Sequence, residues 1–364
     1  QWFFSAGHPN LDISYGWDEA TKKASVTIAQ TQEGNEVPYI FDLPLKVDIY
    51  DATGKARREN IRVTKRSQTF TFDAAAKPAL INVDAEKALL CVKNDDHTPE
   101  EFAFQYRNTP LFRDRFEAIE ALKSQKTELA KQVMIEALRD QAWPIRQRAL
   151  NRVDESDPTV LPLIAQIAEN DPEPSVRATA VGLLGDTGDK QYVPILQKGL
   201  GADQPYSVVS ASLSALTKLD PQAAVAASKT LQNDESDALS ATLAELYAEN
   251  PDRANLPFFE KKLGKVDYMA AFAFFDHYHK FLIGLNDPAL IDGGVENLKN
   301  ISFNLQTSEF RRFAATKAIA DIRNSFREKG DTAKAEALGK IIKEIKEKET
   351  DATLKLYYDM FDTP

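Results

Sequence analysis

The sequence predicts a multidomain protein of the β plus α class, in which an N-terminal β-sandwich precedes an α-α superhelix. Three observations support this prediction. Apolar residues recur with period two in the first part of the chain, helical spacing replaces that period after Lys93, and the helical part contains similar segments at a nearly constant interval. We therefore expect a β-sandwich domain at residues 1–95 and a superhelix domain at residues 96–364.

The predicted strands are short segments in which apolar and polar residues alternate. In LKVDIY, Leu45, Val47 and Ile49 alternate with other side chains, and LDISY, NIRVTK and QTFTFD follow the same pattern. Turn-forming segments such as DATG separate these runs. Six or seven strands with one apolar face each need a second sheet to cover that face, so the pattern predicts a sandwich.

The polar segment NDDHTPEE, from Asn94 to Glu101, is predicted to join the two domains. Beyond it, the related segments DPEPSVRATAVGLLG, DQPYSVVSASLSALT and DESDALSATLAELYA begin at Asp171, Asp203 and Asp234. A helix pair of this length cannot bury its apolar face alone, so successive copies are expected to stack on a shared core. The last eighty residues keep helical spacing but lose the repeat, as is typical of an end piece.

One copy resembles a HEAT repeat, on the residues Asp171, Pro172, Val176, Arg177, Ala180 and Leu184. The other copies depart from that pattern, so the superhelix is described as HEAT-like. We expect the guanidinium of Arg177 to reach an acidic group of a neighbouring repeat, such as Asp140 or Asp203, because its stem lies at the edge of the buried stripe.

Composition excludes several classes of function. The chain carries 45 basic and 55 acidic residues, a net charge of −10, which argues against binding of nucleic acid. The basic residues of KARREN and RVTKR are interpreted as the solvated face of a strand. The most apolar segment, YMAAFAFFDHYHKFLIGL, is interrupted by charge and histidine, so no membrane span is predicted.

No catalytic or metal-binding residue is predicted in this chain, and no cofactor. The sequence contains neither H-E-x-x-H nor G-x-S-x-G. His277 and His279 are two residues apart on one predicted helix, which turns their rings to different faces and prevents a shared metal. The single cysteine, Cys91, lies in the apolar segment ALLCVK and is expected to be an inert thiol.

Two segments carry a resemblance to a known family. Trp2, followed by Gly7-His8-Pro9 and the strand LDIS, resembles the segment after the catalytic domain in aminopeptidase N-type zinc metallopeptidases. The segment KPALINVDAEKALLCVK, from Lys77 to Lys93, resembles the strand pair that closes the β-sandwich in the bacterial branch of that family. In the family a HEAT-like superhelical domain follows this sandwich, so the resemblance in domain order covers essentially the whole chain.

The resemblance implies that this chain is the non-catalytic C-terminal portion of a zinc aminopeptidase, which removes N-terminal residues from peptides. The zinc ion and the catalytic residues would lie upstream of Gln1, and none maps onto this sequence. The expected partners are the missing catalytic domain and peptide substrates. The superhelix would wall and gate the active-site chamber. Residues expected to line it, unless they belong to the helix core, are Tyr268, Phe272, Phe275, His277 and Tyr278; residues expected to touch the catalytic domain are Trp2, Phe3 and Phe4.

Two alternatives remain open from the sequence. The chain could be a stand-alone HEAT-like scaffold that binds a protein partner on its concave face. It could also be a hydrolase built on scattered carboxylates. A soluble protein is expected, of the cytoplasm or the periplasm; the sequence leaves the compartment open, because any signal peptide would lie upstream of Gln1.

Overall fold

A computed structural model describes residues 6–34, 36–154 and 157–361. Trp2, Phe3 and Phe4, expected to touch a catalytic domain, lie outside the described residues. The chain forms two compact units, residues 1–154 and residues 155–364. Strands give way to helices near residue 95, where the sequence predicted the domain boundary, but the first helices associate with the strands in the first unit.

The described part of the first unit contains two β-sheets. One sheet has the strand order β5-β2-β1-β7 and the other has the order β4-β3-β6. Most neighbours are antiparallel, whereas β7 runs parallel to β1. The strands are β1 Asn10–Asp18, β2 Lys23–Gln30, β3 Leu43–Tyr50, β4 Ala56–Val63, β5 Ser67–Asp73, β6 Leu80–Val83 and β7 Val92–Asp95.

The alternation seen in the sequence corresponds to the faces of these strands. Leu11 and Ile13 of β1, together with Val26 of β2, are buried in the same apolar core as Val47 of β3 and Val83 of β6. Side chains from both sheets therefore meet in one core, and the predicted β-sandwich is confirmed. Period two has this consequence because successive side chains of a strand point to opposite faces.

The first unit continues into four described helices. They are α1 Pro99–Asn108, α2 Phe112–Leu122, α3 Glu128–Ala137 and α4 Trp143–Leu150. The predicted joint is ordered structure, because β7 pairs with β1 and Thr98 caps α1. The Thr98 side chain accepts a hydrogen bond from the backbone N–H of Glu101, and the Glu101 carboxylate accepts one from the backbone N–H of Thr98. Two N–H groups at the start of the helix are therefore satisfied.

Buried charges attach helix α2 to the sandwich. The carboxylate of Asp114, which is 1% exposed, lies 2.7 Å from the Lys87 ammonium and accepts a hydrogen bond of 3.0 Å from Asn82. The ammonium of Lys93 lies 2.8 Å from Asp95 and 3.0 Å from Glu117 of α2. Buried ions need such partners, so the strand and helix residues depend on each other.

The second unit is helical in the part that the structure describes. Its helices are α5 Leu161–Asn170, α6 Pro174–Asp186, α7 Val193–Lys198, α8 Tyr206–Leu219, α9 Pro221–Leu231, α10 Asp237–Glu249, α11 Leu256–Leu263, α12 Tyr268–Leu285, α13 Pro288–Phe303, α14 Glu309–Glu328, α15 Thr332–Lys348 and α16 Ala352–Asp359. Single 3₁₀ turns at Lys190–Tyr192 and Arg253–Asn255 precede α7 and α11. None of the described helices combines the length and apolar character that a membrane span requires.

Helices α6, α8, α10, α12 and α14 are successive neighbours, which makes this unit a helical solenoid as predicted. The row of stacked helices continues to α14, although the last part of the chain was expected to keep helical spacing without the sequence repeat. The sequence did not reveal this pair because the spacing from the start of α12 at Tyr268 to the start of α14 at Glu309 is wider than that between the earlier repeats. A fixed period does not detect a stacked pair of different length.

The prediction for Arg177 also needs correction. Its guanidinium donates to the backbone carbonyl of Asp171 at 2.7 Å and to the side-chain oxygen of Gln204 at 3.4 Å, and not to the carboxylate of Asp140 or Asp203. The carbonyl belongs to the turn that precedes α6. The side chain therefore closes its own inter-helix turn and reaches the next repeat through an amide.

Candidate functional site

The candidate site is an aromatic groove on the second unit, formed by α12, α14 and α16. Its volume is about 360 Å³, and its surface is largely apolar. We call it the aromatic groove. Its lining residues are Phe272, Glu309, Phe310, Phe313, Asp351, Thr353, Leu354 and Tyr357.

The rings of the aromatic groove contact one another. The Phe272 ring centroid lies 6.0 Å from that of Phe310 and 5.7 Å from that of Phe313. The ring of Tyr357, from α16, lies 5.8 Å from Phe313 at a steep angle. Phe310 is 43% exposed and Tyr357 46% exposed. Adjacent exposed aromatic rings are uncommon on a protein surface, which makes the groove a candidate binding site.

Tyr268 stands at the rim of the aromatic groove, where its ring centroid lies 6.0 Å from that of Phe310. It is the first residue of α12 and has a φ of +51°, in the left-handed region that a bulky residue rarely adopts. The carboxylate of Asp267 accepts a hydrogen bond from the Tyr268 N–H at 2.7 Å and also from Ser308, which precedes α14. This cap holds an otherwise unfavourable backbone conformation at the rim.

Two carboxylates lie beside the rings of the aromatic groove. Asp351 caps α16 by accepting a hydrogen bond of 2.8 Å from the N–H of Leu354, and Glu309 occupies the first turn of α14. Each carboxylate therefore lies at a helix N-terminus, where negative charge is stabilised. An apolar surface with acidic neighbours suits a ligand that carries both an apolar portion and a positive charge.

A buried ion pair positions one wall of the aromatic groove. Arg312 donates to both carboxylate oxygens of Glu349, at 2.9 and 3.1 Å, and their side chains are 6% and 1% exposed. The same carboxylate accepts hydrogen bonds from the N–H groups of Thr350 and Asp351. Although burial alone raises the pKa of Glu349, these hydrogen bonds lower it below its ordinary value. Arg312 of α14 thereby orients the start of α16.

The structure separates the residues that the sequence grouped. Phe272 lines the aromatic groove and Tyr268 stands at its rim. Phe275 and Tyr278 are buried, and Tyr278 stacks on Phe259 with a centroid distance of 5.2 Å, so both occupy the helix core that the alternative interpretation assigned to them. His277 is half-buried, and this desolvation lowers its pKa. Whether any of these residues faces a chamber of a larger protein stays a prediction.

Sequence reasoning missed Phe310, Phe313 and Tyr357. These residues lie in the last part of the chain, which the sequence predicts to be an end piece. The available signal was the pair of phenylalanines in EFRRF, three residues apart and therefore on one helix face. Their convergence with Phe272 depends on the packing of α14 against α12, which the local pattern does not contain.

A second cavity, of about 810 Å³, lies in the first unit beside the buried charges of β7 and α2. Its lining includes Lys93, Asp95 and Glu117, each engaged in the ion pairs described above. Cys91 also lines it, and burial raises the pKa of this thiol to about 11, so the thiol is protonated at neutral pH. This agrees with the expectation of an inert cysteine.

Family comparisons describe both units. A family model for a domain of unknown function with an Ig-like fold (DUF3458) matches residues 7–85, and a model for HEAT repeats matches residues 160–248. The chain thus contains an Ig-like domain followed by HEAT repeats. No curated protein matches the chain.

Solved structures that match the chain include aminopeptidase A of Legionella pneumophila in complex with aspartic acid, at 12% identity and a TM-score of 0.49. That match covers 99% of this chain and 49% of the aminopeptidase, so the chain spans about half the length of that protein. The structure of the CpcE–CpcF complex of phycocyanin lyase from Nostoc also matches, at 14% identity and a TM-score of 0.39. That match covers 66% of this chain and 96% of the matched chain. Human deoxyhypusine hydroxylase matches at 11% identity and a TM-score of 0.30, and the match covers 72% of this chain and 94% of the hydroxylase chain.

Proposed function

We propose that this chain is the non-catalytic C-terminal portion of a zinc-dependent aminopeptidase. In this proposal the zinc ion and the H-E-x-x-H helix belong to a catalytic domain outside residues 1–364, and peptides are the substrates. The HEAT-like solenoid walls and gates the chamber that holds the peptide. The catalytic domain is the principal partner of the chain.

The observation that carries the proposal is the order of the two matched domains. An Ig-like domain at residues 7–85 precedes HEAT repeats at residues 160–248, which is the order that the resemblance to aminopeptidase N-type metallopeptidases implies. The motifs around Gly7 and Pro78 support the same relationship from the sequence side.

The aromatic groove supplies a concrete role for the solenoid. A peptide offers apolar side chains that Phe272, Phe310 and Tyr357 can cover. It also offers basic side chains that Glu309 and Asp351 attract. Burial of one apolar side chain contributes roughly 1.5–3 kcal/mol, enough to hold the distal part of a peptide during cleavage at its N-terminus. The proposal therefore assigns the aromatic groove to the part of the substrate that does not react.

The first test is the coding sequence upstream of Gln1, which should contain H-E-x-x-H. The complete gene product should then hydrolyse aminoacyl anilides in a zinc-dependent manner, whereas residues 1–364 alone should not. An upstream sequence without that motif, or a complete product without peptidase activity, contradicts the proposal.

The second test concerns the aromatic groove in the complete protein. The double substitution Phe272→Ala and Tyr357→Ala should lower kcat/KM for peptides of several residues by about tenfold or more, from the loss of buried apolar contact. It should leave kcat/KM for a single aminoacyl anilide unchanged. Leu356→Ala, on the same helix as Tyr357 but outside the groove lining, is the matched control. Equal losses for both substrates would contradict a role in holding the distal peptide.

A stand-alone scaffold that binds a protein partner is the second candidate. Exposed apolar side chains of the second unit favour it, since Met269 is 74% exposed, Leu356 66% and Met360 68%. The two candidates are separated by the upstream sequence, because a scaffold needs no catalytic domain.

A further inference from the structure

Helices α12 and α14 lie side by side, and the character of their contacts changes along the seam. The first contacts are the aromatic ones of the groove, and the later contacts join charged and titratable side chains. In order, the contacting pairs are Tyr268 with Phe310, Phe272 with Phe313, Asp276 with Lys317, and His279 with Asp321. The change occurs within about one helical turn, between Phe272 and Asp276.

Three potential metal ligands converge at the charged end of this seam. The Nδ1 atom of His279 lies 3.8 Å from a carboxylate oxygen of Asp276 and 3.8 Å from one of Asp321. One ligand atom from each of the three residues lies within 4.8 Å of the other two. Atoms around one ion with bonds of about 2.0–2.2 Å lie at most about 4 Å apart, so small side-chain movements would bring the three onto one ion.

His279 is the residue that most needs a partner. It is 9% exposed, and its Nδ1 is buried without a hydrogen-bond partner among the described residues. Both carboxylates, at 3.8 Å from this nitrogen, are too distant for a hydrogen bond. A buried polar nitrogen without a partner is unfavourable, and imidazole is a common ligand of metal ions in proteins.

Two lysines face the same cluster. The ammonium of Lys280 lies 2.7 Å from the Oδ2 atom of Asp276, whereas the other carboxylate oxygen of Asp276, Oδ1, faces His279. Lys317 lies 2.6 Å from the Oδ2 atom of Asp321, the same atom that faces His279. An ion would therefore leave the contact of Lys280 intact and compete with Lys317. That competition predicts modest affinity.

We propose that Asp276, His279 and Asp321 form a binding site for a divalent transition-metal ion, with Zn²⁺ as the representative ion. The two carboxylate oxygens and the imidazole nitrogen would supply three protein ligands. The ion would join α12 to α14 next to the aromatic groove. This proposal departs from the sequence-based expectation that the chain binds no metal, and it does not depend on the proposed peptidase function.

The donor set decides which ions are expected. Imidazole nitrogen with carboxylate oxygen suits zinc and its first-row neighbours, whereas Mg²⁺ prefers oxygen ligands and retains its water. The helix spacing is also suitable, because residues three apart, such as Asp276 and His279, lie on one face of α12. His277, two residues before His279, is turned away from this face and serves as a natural control.

The experiment is a titration of the 364-residue chain with Zn²⁺ at neutral pH, in competition with a chromogenic chelator. One Zn²⁺ per chain is expected in the wild type and in His277→Ala, with no comparable binding of Mg²⁺. Asp321→Asn and His279→Gln should each weaken Zn²⁺ binding by at least about tenfold. Absence of binding, or binding that both substitutions leave unchanged, would overturn the proposal.

Lys317→Met provides a second readout with the opposite sign. Removal of the competing ammonium should strengthen Zn²⁺ binding several-fold, and an unchanged or weaker affinity contradicts the shared Asp321 oxygen. Circular dichroism confirms that each variant is folded. Zn²⁺ should also raise the Tm of the wild type and of Lys317→Met but not that of Asp321→Asn, since a ligand stabilises only the state that binds it. An equal rise in Asp321→Asn would place the ion elsewhere.

Discussion

At the scale of single residues, the pair formed by Arg312 and Glu349 tests how the aromatic groove is held together. Glu349→Gln leaves the buried guanidinium without its counter-charge, so the free energy of unfolding should fall by about 3 kcal/mol or more. Glu169→Gln is the matched control, because its pair with Lys198 is exposed and contributes under about 1 kcal/mol. Urea unfolding of the three proteins measures both changes. Similar losses in the two variants would contradict the importance of burial.

The same pair makes a prediction about pH. The pKa of Glu349 is lower in the folded protein than its ordinary value, so its stabilising contribution is complete above the unfolded pKa and is lost as pH falls through the folded pKa. The difference in unfolding free energy between wild type and Glu349→Gln should therefore be constant near neutral pH and shrink below about pH 4. A difference that stays constant down to acid pH would show that the carboxylate is not held in its charged form.

At the scale of elements, two glycines of α6 have opposite expected effects. A Cβ on Gly185 would lie 2.6 Å from the Cβ of Ala215 and 2.8 Å from its Cα, so α8 approaches α6 too closely for any side chain. Gly185→Ala should therefore destabilise the protein by about 1–3 kcal/mol. A Cβ on Gly182 meets no described atom within 4 Å, so Gly182→Ala should stabilise the helix by up to about 1 kcal/mol.

Thermal unfolding of both glycine variants checks this prediction. Each substitution adds one methyl group to the same helix, so changes in helix propensity act in the same direction. The two changes in stability have opposite signs only because the new methyl group at position 185 would collide with α8. If both variants are stabilised, the close approach of the two helices is incorrect.

At the scale of the whole molecule, the two possible boundaries predict different fragments. A chain that ends at Asp95 retains Lys93 but loses Glu117, and it retains Lys87 without Asp114. A chain that ends at Asp154 keeps both ion pairs complete. Residues 1–154 should therefore unfold cooperatively, whereas residues 1–95 should unfold at markedly lower urea concentration, because breaking buried ion pairs costs about 3–5 kcal/mol each. Circular dichroism in urea measures both, and equal midpoints would support a boundary at residue 95.

The sequence by itself determined the classes of structure. Period two in segments such as LKVDIY and the repeats that begin at Asp171 report the local geometry of strands and helices, in which neighbouring residues set which side is buried. That information lies within a few residues, so a sandwich followed by a helical solenoid could be predicted. The sequence offered the helix core as the alternative for all the candidate chamber-lining aromatics alike, and only Phe275 and Tyr278 are fully buried.

Only the tertiary structure decided which side chains meet across elements. His279 and Asp321 lie on different helices and far apart in the chain, and so do Phe272 and Tyr357. Their encounters depend on how far each helix is rotated and shifted against its neighbour, and a repeat pattern does not encode this. The partners of Arg177 were mispredicted for the same reason. The association of α2 with the sandwich likewise rests on buried charges contributed by strands and helix together, because neither segment can satisfy those charges alone.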